Sequence, residues 1–204
     1  MTIRKGEPWG RPGVVPPDVV RADTDSAVAS RHGRQVQVTG GNLWRCLGRP
    51  GPKAVSESCT VLPVDAIRCV VSRPGDGSSV DEETVVTAVA EVVVGSWFAP
   101  GGLTVVTNAG VQGELNITPR AHPNDGEFDI LRVERSTSPR QRIVARRRAR
   151  TGTHVPHPTI SVRRSTLVEI PRAGRQRLVI DGVPFGHWTS VRLEIMPDHV
   201  DVLV

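Results

Sequence analysis

The stretch Thr84-Val85-Val86-Thr87-Ala88-Val89-Ala90-Glu91-Val92-Val93-Val94-Gly95-Ser96-Trp97-Phe98, then Ala99-Pro100-Gly101-Gly102, then Leu103-Thr104-Val105-Val106-Thr107, decides the fold class. Valine and threonine dominate it, and β-branched side chains suit a pleated strand better than a helix. The Ala-Pro-Gly-Gly insert supplies a four-residue turn, so the segment reads as a hairpin. The same pattern extends outward. Before it, Cys59 to Ser72 is a strand split by Pro63, and Gly75-Asp76-Gly77 is a turn. After it come Phe128–Val133, Thr159–Arg163, Thr166–Ile170, Arg177–Ile180, Val191–Ile195 and His199–Leu203, with Met196-Pro197-Asp198 as the turn joining the last two. Most alternate apolar and polar residues, as strands with one wet face should. The expected architecture is mainly β: an antiparallel β-sandwich with one or two short helices.

Two segments break the strand pattern. Asp23 to Ser30 makes a short helix capped by Asp23 or Thr24. Ser138-Pro139 is an N-cap with proline at the first helical position, and Gly152 stops the helix over Arg140–Arg150. Its apolar face is thin, consisting of Ile143, Val144 and Ala149. Residues 1–38, with Pro8, Pro12, Pro16 and Pro17 closely spaced, read as an extended lead-in with little structure of its own. Residues 39–204 then form the folded domain.

With 204 residues, 38% of them hydrophobic, the chain can close a real core. Aromatics are only 3% and tyrosine is absent, so Val, Ile, Leu and Ala must fill the interior. The longest apolar run, around Val92-Val93-Val94, falls far short of the roughly 20 residues of a membrane span. No leader pattern opens the chain, and the odd set Cys46, Cys59 and Cys69 lacks metal-ligand spacing. These features point to the reducing cytoplasm, with a peripheral position at a membrane if the charge is used there.

The net charge of +5 is unevenly spread. Only Lys5 and Lys53 are lysine among 26 basic residues, and twelve arginines lie between Arg135 and Arg177 against one acid, Glu169. Such a block serves a nucleic acid, an anionic membrane surface or a phosphorylated ligand, or it merely coats a solvated face. No Phe, Trp or Tyr interleaves with it, which counts against stacking on single strands. Arg146, Arg147, Arg148 and Arg150 are the candidate anion- or lipid-binding residues.

Four motifs carry candidate chemistry. In Pro119-Arg120-Ala121-His122-Pro123-Asn124-Asp125-Gly126-Glu127-Phe128-Asp129, a carboxylate and nearby carbonyls on a tight turn can offer oxygens to Mg²⁺ or Ca²⁺; the alternative is an ordinary Asp-Gly turn. Ile180-Asp181-Gly182-Val183 is either a hairpin turn or, if Asp181 faces a cleft, a general base. Gly40-Gly41-Asn42, ahead of a helix, lets backbone N–H groups approach a phosphate, or is a plain loop. His154 and His157 flank Val155-Pro156, and with no third ligand nearby structural hydrogen bonding is the better reading. A Walker-type loop and a nucleophile elbow are both absent.

Taken in order, these pieces resemble the lipid-kinase family that includes bacterial diacylglycerol kinases, in its β-rich second lobe, which is related to that of NAD kinases. Thr118–Asp129 is similar to the family's Ala-Pro-x-Ala-x-x-x-Asp-Gly-x-Leu-Asp, and Gly152–Pro158 to its Gly-x-His-x-x-x-Pro. Asp181-Gly182-Val183 is similar to its Asp-Gly-Glu, and Gly40–Gly48 to its Gly-Thr-Gly-Asn segment, shortened by about a residue. The resemblance implies that Asp125 is a side-chain ligand of a Mg²⁺ site, with the carbonyls of His122 and Glu127 nearby. It makes Asp181 the counterpart of the catalytic acid and places Gly40, Gly41 and Asn42 on the nucleotide side.

Two departures matter. Val183 replaces the family's Glu, and no Gly-Gly-Asp-Gly-Thr phosphate loop stands ahead of Gly40. The expected function is therefore a lipid-kinase-like domain, non-catalytic alone, that binds an anionic ligand, a lipid surface or a protein partner. The alternatives are a kinase whose ATP-binding half comes from a partner chain or dimer mate, and a nucleic-acid-binding protein.

Overall fold

The Val-rich run does not stay in one sheet. The computed structural model describes residues 8–74, 82–99, 101–173 and 175–204, and the run divides at Val89-Ala90 into two strands of different sheets. In chain order the elements are β1 (Arg11–Val14), β2 (Val20–Ala22), α1 (Asp25–Ala29), β3 (Gln35–Val38), α2 (Gly41–Cys46), β4 (Ser58–Arg73), β5 (Glu82–Ala88), β6 (Glu91–Gly95), β7 (Leu103–Thr107), β8 (Val111–Gln112) and β9 (Leu115–Asn116). They continue as β10 (Phe128–Val133), α3 (Pro139–Ala149), β11 (Ile160–Ser165), β12 (Leu167–Pro171), β13 (Leu178–Ile180), β14 (Val183–Phe185) and β15 (Ser190–Leu203). The first sheet runs β1-β4-β15-β3-β2, with β5 added to β4 and β12 to β15. The second runs β11-β10-β7-β6-β13-β14, and β8 with β9 makes a small ribbon. The turn expected at Gly75-Asp76-Gly77, and Pro100 of the hairpin turn, lie outside the described residues.

The sheets face each other across a core of aliphatic side chains. Ile67, Cys69, Val71, Val191 and Leu193 of the first sheet meet Val92, Val106, Phe128, Ile130 and Leu178 of the second. Every residue of β7 is buried, because α3 covers the other side of its sheet through Ala145 and Ala149. That two-sided burial explains the unbroken apolar runs where simple alternation fails. The result is the expected mainly β sandwich, with three helices among the described residues and two parallel pairings, β2 with β3 and β3 with β15.

Four expectations need correction. Residues 11–38 are not a lead-in: β1 pairs with β4, and β2-α1-β3 forms a small β-α-β crossover inside the first sheet. Val36 and Val38 end up fully buried against Leu43, Val64 and Val202.

Pro63 does not split β4. The N–H of Asp65 donates outward to the Pro123 carbonyl, so by the period of two Pro63 also turns its nitrogen to the outer edge. That edge is free of strands between Val61, opposite the start of β1, and Ile67, opposite the end of β5, and a missing donor costs nothing there.

Likewise Met196-Pro197-Asp198 is not a turn between two strands. It is an irregularity in one long strand, opposite Asp65.

Finally, α3 turns Ile143 and Val144 outward and buries Arg142, Ala145 and Ala149. The Arg142 guanidinium donates to the carbonyls of Thr137, Ala99 and Glu134 at 2.7–2.9 Å, fastening α3 to the β6–β7 turn. A buried cation spread over several carbonyls leaves all of them unpaired when it is removed. Replacing Arg142 with Ala should cost about 3 kcal/mol and lower the melting temperature by about 10 °C. Arg147→Ala on the outer face should stay within about 0.5 kcal/mol. Thermal unfolding followed by circular dichroism separates the two.

Candidate functional site

Asp181 and Gly182 are the two central residues of the β13–β14 turn, with φ of 45° and 80° and Ile180 paired to Val183. Positive φ at both positions is the type I′ hairpin geometry that Asp-Gly favours. The turn aims the Asp181 carboxylate into the corner where the chain leaves one sheet for the other. There Oδ2 accepts the N–H of Val89 at 2.7 Å, and Oδ1 accepts those of Ala90 and Glu91 at 3.0 and 2.9 Å. Burial raises its pKa, and the three donors oppose that shift. The balance leaves the carboxyl at about 7, and with both oxygens held by backbone N–H groups it acts here as a structural anchor.

Glu91 and Asp25 surround it. Glu91 is buried, accepts from Gln112 at 3.0 Å and from Asn42, and has its pKa pushed up to about 7, chiefly by burial and further by the neighbouring Asp181 and Asp25 charges. Asp25 settles the fate of Gly40-Gly41-Asn42. Its carboxylate accepts the N–H of Asn42 at 2.7 Å and of Leu43 at 3.0 Å, occupying the start of α2. Gly41 has φ of +89°, and a Cβ there would lie 2.3 Å from Asp25 Oδ1, so only glycine admits the acid this closely. Where a phosphate was expected to meet these N–H groups, the chain's own carboxylate sits. The loop from β2 to α1 is Asp23-Thr24, with no glycine, and Thr24 caps α1.

The Asp125 turn forms a second, separate cluster. Asp65, fully buried on β4, accepts the N–H of Gly126 at 2.8 Å, the N–H of Asp198 at 2.9 Å and the Asn124 amide at 3.0 Å. It thereby pins this turn to the irregularity in β15. Asp125 Oδ1 accepts the Glu127 N–H, and its Oδ2 faces Arg164 at 3.2 Å. Arg164 also reaches Glu127 at 3.5 Å and Asp129 at 3.7 Å. Burial pushes the Asp129 carboxyl up to about 6 against the pull of Arg164. His122 accepts the Asn124 N–H through Nδ1 and sets its ring edge-on to Trp9. These residues do not fit the expected Mg²⁺: a guanidinium fixed by β11 stands among the three carboxylates where a dication would stand. No group of three His, Cys, Asp or Glu poised to hold a metal occurs among the described residues.

Asp125 and Asp181 therefore belong to different clusters, linked by Asn108, whose amide donates to the carbonyls of Asp65, Val89 and Pro123. Sequence reading missed Asp25, Asp65, Glu91 and Arg164. The only local signal was Asp25, an acid in the first turn of a short helix. Its partners lie 17 residues on.

The family model described as the YegS C-terminal NAD kinase beta sandwich-like domain matches residues 79–204. The chain belongs to that family. Among solved structures it is similar to a diacylglycerol kinase from Bacillus anthracis str. Sterne, with TM-score 0.50 and 14% identity over 90% of this chain and 76% of that one. A second structure from that bacterium matches with TM-score 0.52 at 15% identity over the same shares of both chains. Yeast NADH kinase complexed with NADH matches with TM-score 0.54 and 8% identity, over 92% of this chain and 61% of that one. At these identities the likeness is one of fold. No curated protein matches the chain.

Two outcomes follow. Glu91 has a folded pKa near 7 against an ordinary value of 4.5, so the folded state holds a proton that the unfolded chain has released in between. Its contribution to stability is complete below about pH 4.5 and is lost as pH rises toward 7. Melting curves should show Glu91→Gln flattening that decline, and an unchanged slope would contradict the assignment. Replacing Arg164 with Met should uncover the Asp125, Glu127 and Asp129 carboxylates. Calorimetry should then detect millimolar Mg²⁺ or Ca²⁺ binding by the variant and little by the parent.

Proposed function

We propose that this chain is a kinase-type lobe that docks on an anionic membrane surface and transfers no phosphoryl group with its own residues. The observation that carries the reading is the outer face of α3. Phe98, Ile143 and Val144 are 67%, 44% and 42% exposed, and Phe98 and Ile143 line one shallow cavity of about 360 Å³. Arg146 lies 5.5 Å over the Phe98 ring, and Arg147, Arg148 and Arg150 continue the charge. No acidic side chain among the described residues pairs with these four guanidiniums. Arginines ringing exposed apolar side chains match an interface that meets headgroups and acyl chains together. Each arginine contributes about 1 kcal/mol near an anionic surface, and inserting Phe98 adds roughly 2 kcal/mol. No helix of the described residues is long and apolar enough to cross a membrane, so attachment at the surface is the mode this face supports.

The second half of the reading rests on Asp25 and Asp181. Phosphoryl transfer depends on positioned donors for the phosphates and a base for the attacking hydroxyl. Here the α2 donors hold Asp25, and the Asp181 carboxylate holds three N–H groups.

Flotation with phosphatidylglycerol vesicles should bring the protein up at low salt, while phosphatidylcholine vesicles leave it behind. Raising the salt to about 0.5 M should release it, because screening removes the arginine contribution. Phe98→Ser and Arg147→Gln should each weaken binding several-fold. Equal binding to both lipids would sink the reading. ATP with Mg²⁺ should leave the melting temperature of the chain unchanged, since a ligand at 100 times its Kd would add about 2.7 kcal/mol.

A further inference from the structure

The two flanks of α3 face different surroundings. Pro139, Arg142 and Ile143 look toward Phe98, whereas Gln141, Val144, Ala145 and Arg148 look toward the turn carrying His154 and His157. Between that second flank and the turn lies a cavity of about 170 Å³, with Arg140 also on its wall. A water occupies about 30 Å³ of liquid, so the space holds a group of several heavy atoms.

Beside Val144 and Ala145, its wall carries cationic and imidazole side chains. The Arg140 and Arg148 guanidiniums make no ion pair or hydrogen bond among the described residues, and no carboxylate lines the cavity. The Thr159 backbone N–H donates to Nδ1 of His157 at 3.2 Å, and a backbone amide can only donate. The neutral ring therefore carries its proton on Nε2, a donor left for another partner. His154, only 2% exposed, lines the same cavity, but neither of its ring nitrogens is open to it, so it shapes the wall and offers no donor. With two unpaired guanidiniums and His157 on the wall and no acid to repel it, the fitting partner is a compact oxyanion with several acceptor oxygens.

We infer that this cavity is a binding site for a phosphate monoester group, held by Arg140, Arg148 and His157, with His154 on its wall. It does not require the membrane reading, because the outer face built on Phe98 and Arg147 meets a charged surface without it. The monoester can reach the site as a lipid headgroup or on a soluble compound, and the chemistry that recognises it is the same.

The test titrates inorganic phosphate into the protein at constant ionic strength while the imidazole resonances are followed by NMR. Saturable shifts of both His154 and His157 are expected, with chloride giving none. Arg148→Gln, an exposed change that leaves the fold intact, should weaken binding about tenfold, the loss of one charge-assisted contact. His157→Ala should weaken it as well. His154→Gln is the more buried change, and its folding is checked first by its melting curve. Resonances that stay in place, drift without saturating, or move equally with chloride would overturn the inference, as would unchanged affinity in the Arg148 and His157 variants. A parallel flotation arm compares phosphatidic acid, a monoester, with phosphatidylglycerol, a diester. A preference for phosphatidic acid that Arg148→Gln abolishes names a lipid headgroup as the source. Equal flotation beside saturable phosphate binding names a soluble phosphate.

Discussion

A chain that passes from one sheet to the other must leave backbone N–H groups without ladder partners at the corner. Here that corner is Val89-Ala90-Glu91, deep between the sheets, and its three donors all end on the Asp181 carboxylate. Leaving them unpaired would cost about 1–3 kcal/mol each. The crossing lets one Val-rich run serve both walls of the core: β5 extends the first sheet and β6 lies within the second. Two side chains brace this junction. Thr107 donates its hydroxyl to the Ala90 carbonyl, and Asn108 gathers the carbonyls of Val89, Asp65 and Pro123.

The same device recurs at the other carboxylates. Asp65 receives N–H groups from Gly126 and Asp198, and Asp25 receives those of Asn42 and Leu43. Each acid stands where the backbone leaves regular structure, at a strand irregularity, a turn or a helix start. In a sandwich with few aromatics, buried acids fix these irregular places while aliphatic side chains supply the bulk of the burial. Positive charge follows the opposite rule. Apart from Arg142, buried on carbonyls, Arg164, shared among three acids, and the half-buried Arg172, which donates to the Trp188 carbonyl, the arginines of the basic block stay at the surface. The buried acids thus sit at the chain's own joints, while most cations of the block lie outside.

Much of this was legible in the sequence, and the losses have a common cause. Phe128–Val133 is a strand, Ser138 caps α3 in a reciprocal pair with Gln141, and Asp181-Gly182 makes the two-residue turn its composition calls for. These depend on neighbours in sequence. What escaped depends on distant partners. β3 is a four-residue strand whose place is set by parallel pairing with β15, some 165 residues away, so its short Val36/Val38 alternation did not reveal what it pairs with. The continuity of β15 through Pro197 depends on Asp65, 133 residues earlier in the chain. On α3, Ile143 and Val144 read as the buried face because they are apolar. The helix instead buries two alanines and an arginine, since the crowded second sheet admits only small side chains and Ala99, Thr137 and Glu134 present carbonyls to a guanidinium.

The candidate site shows why a motif can keep its letters and change its task. An Asp-Gly turn at the end of a strand is compatible with a base facing a cleft and with an anchor facing a corner, and the letters do not differ. The outcome is decided by what lies opposite. With Asp25 on the α2 donors, an incoming phosphate would have to displace a carboxylate held by two N–H bonds, at a place already carrying Glu91 and Asp181. Three acids in one buried pocket repel each other and repel any added anion, and the protein tolerates them by raising the Glu91 pKa to about 7, so that it is partly protonated at neutral pH and more fully so below it. The basic face of α3 carries no such burden. On the proposed reading, anions are turned away from the interior joint and favoured at the outer helix, and that asymmetry is what orients the molecule toward a charged partner.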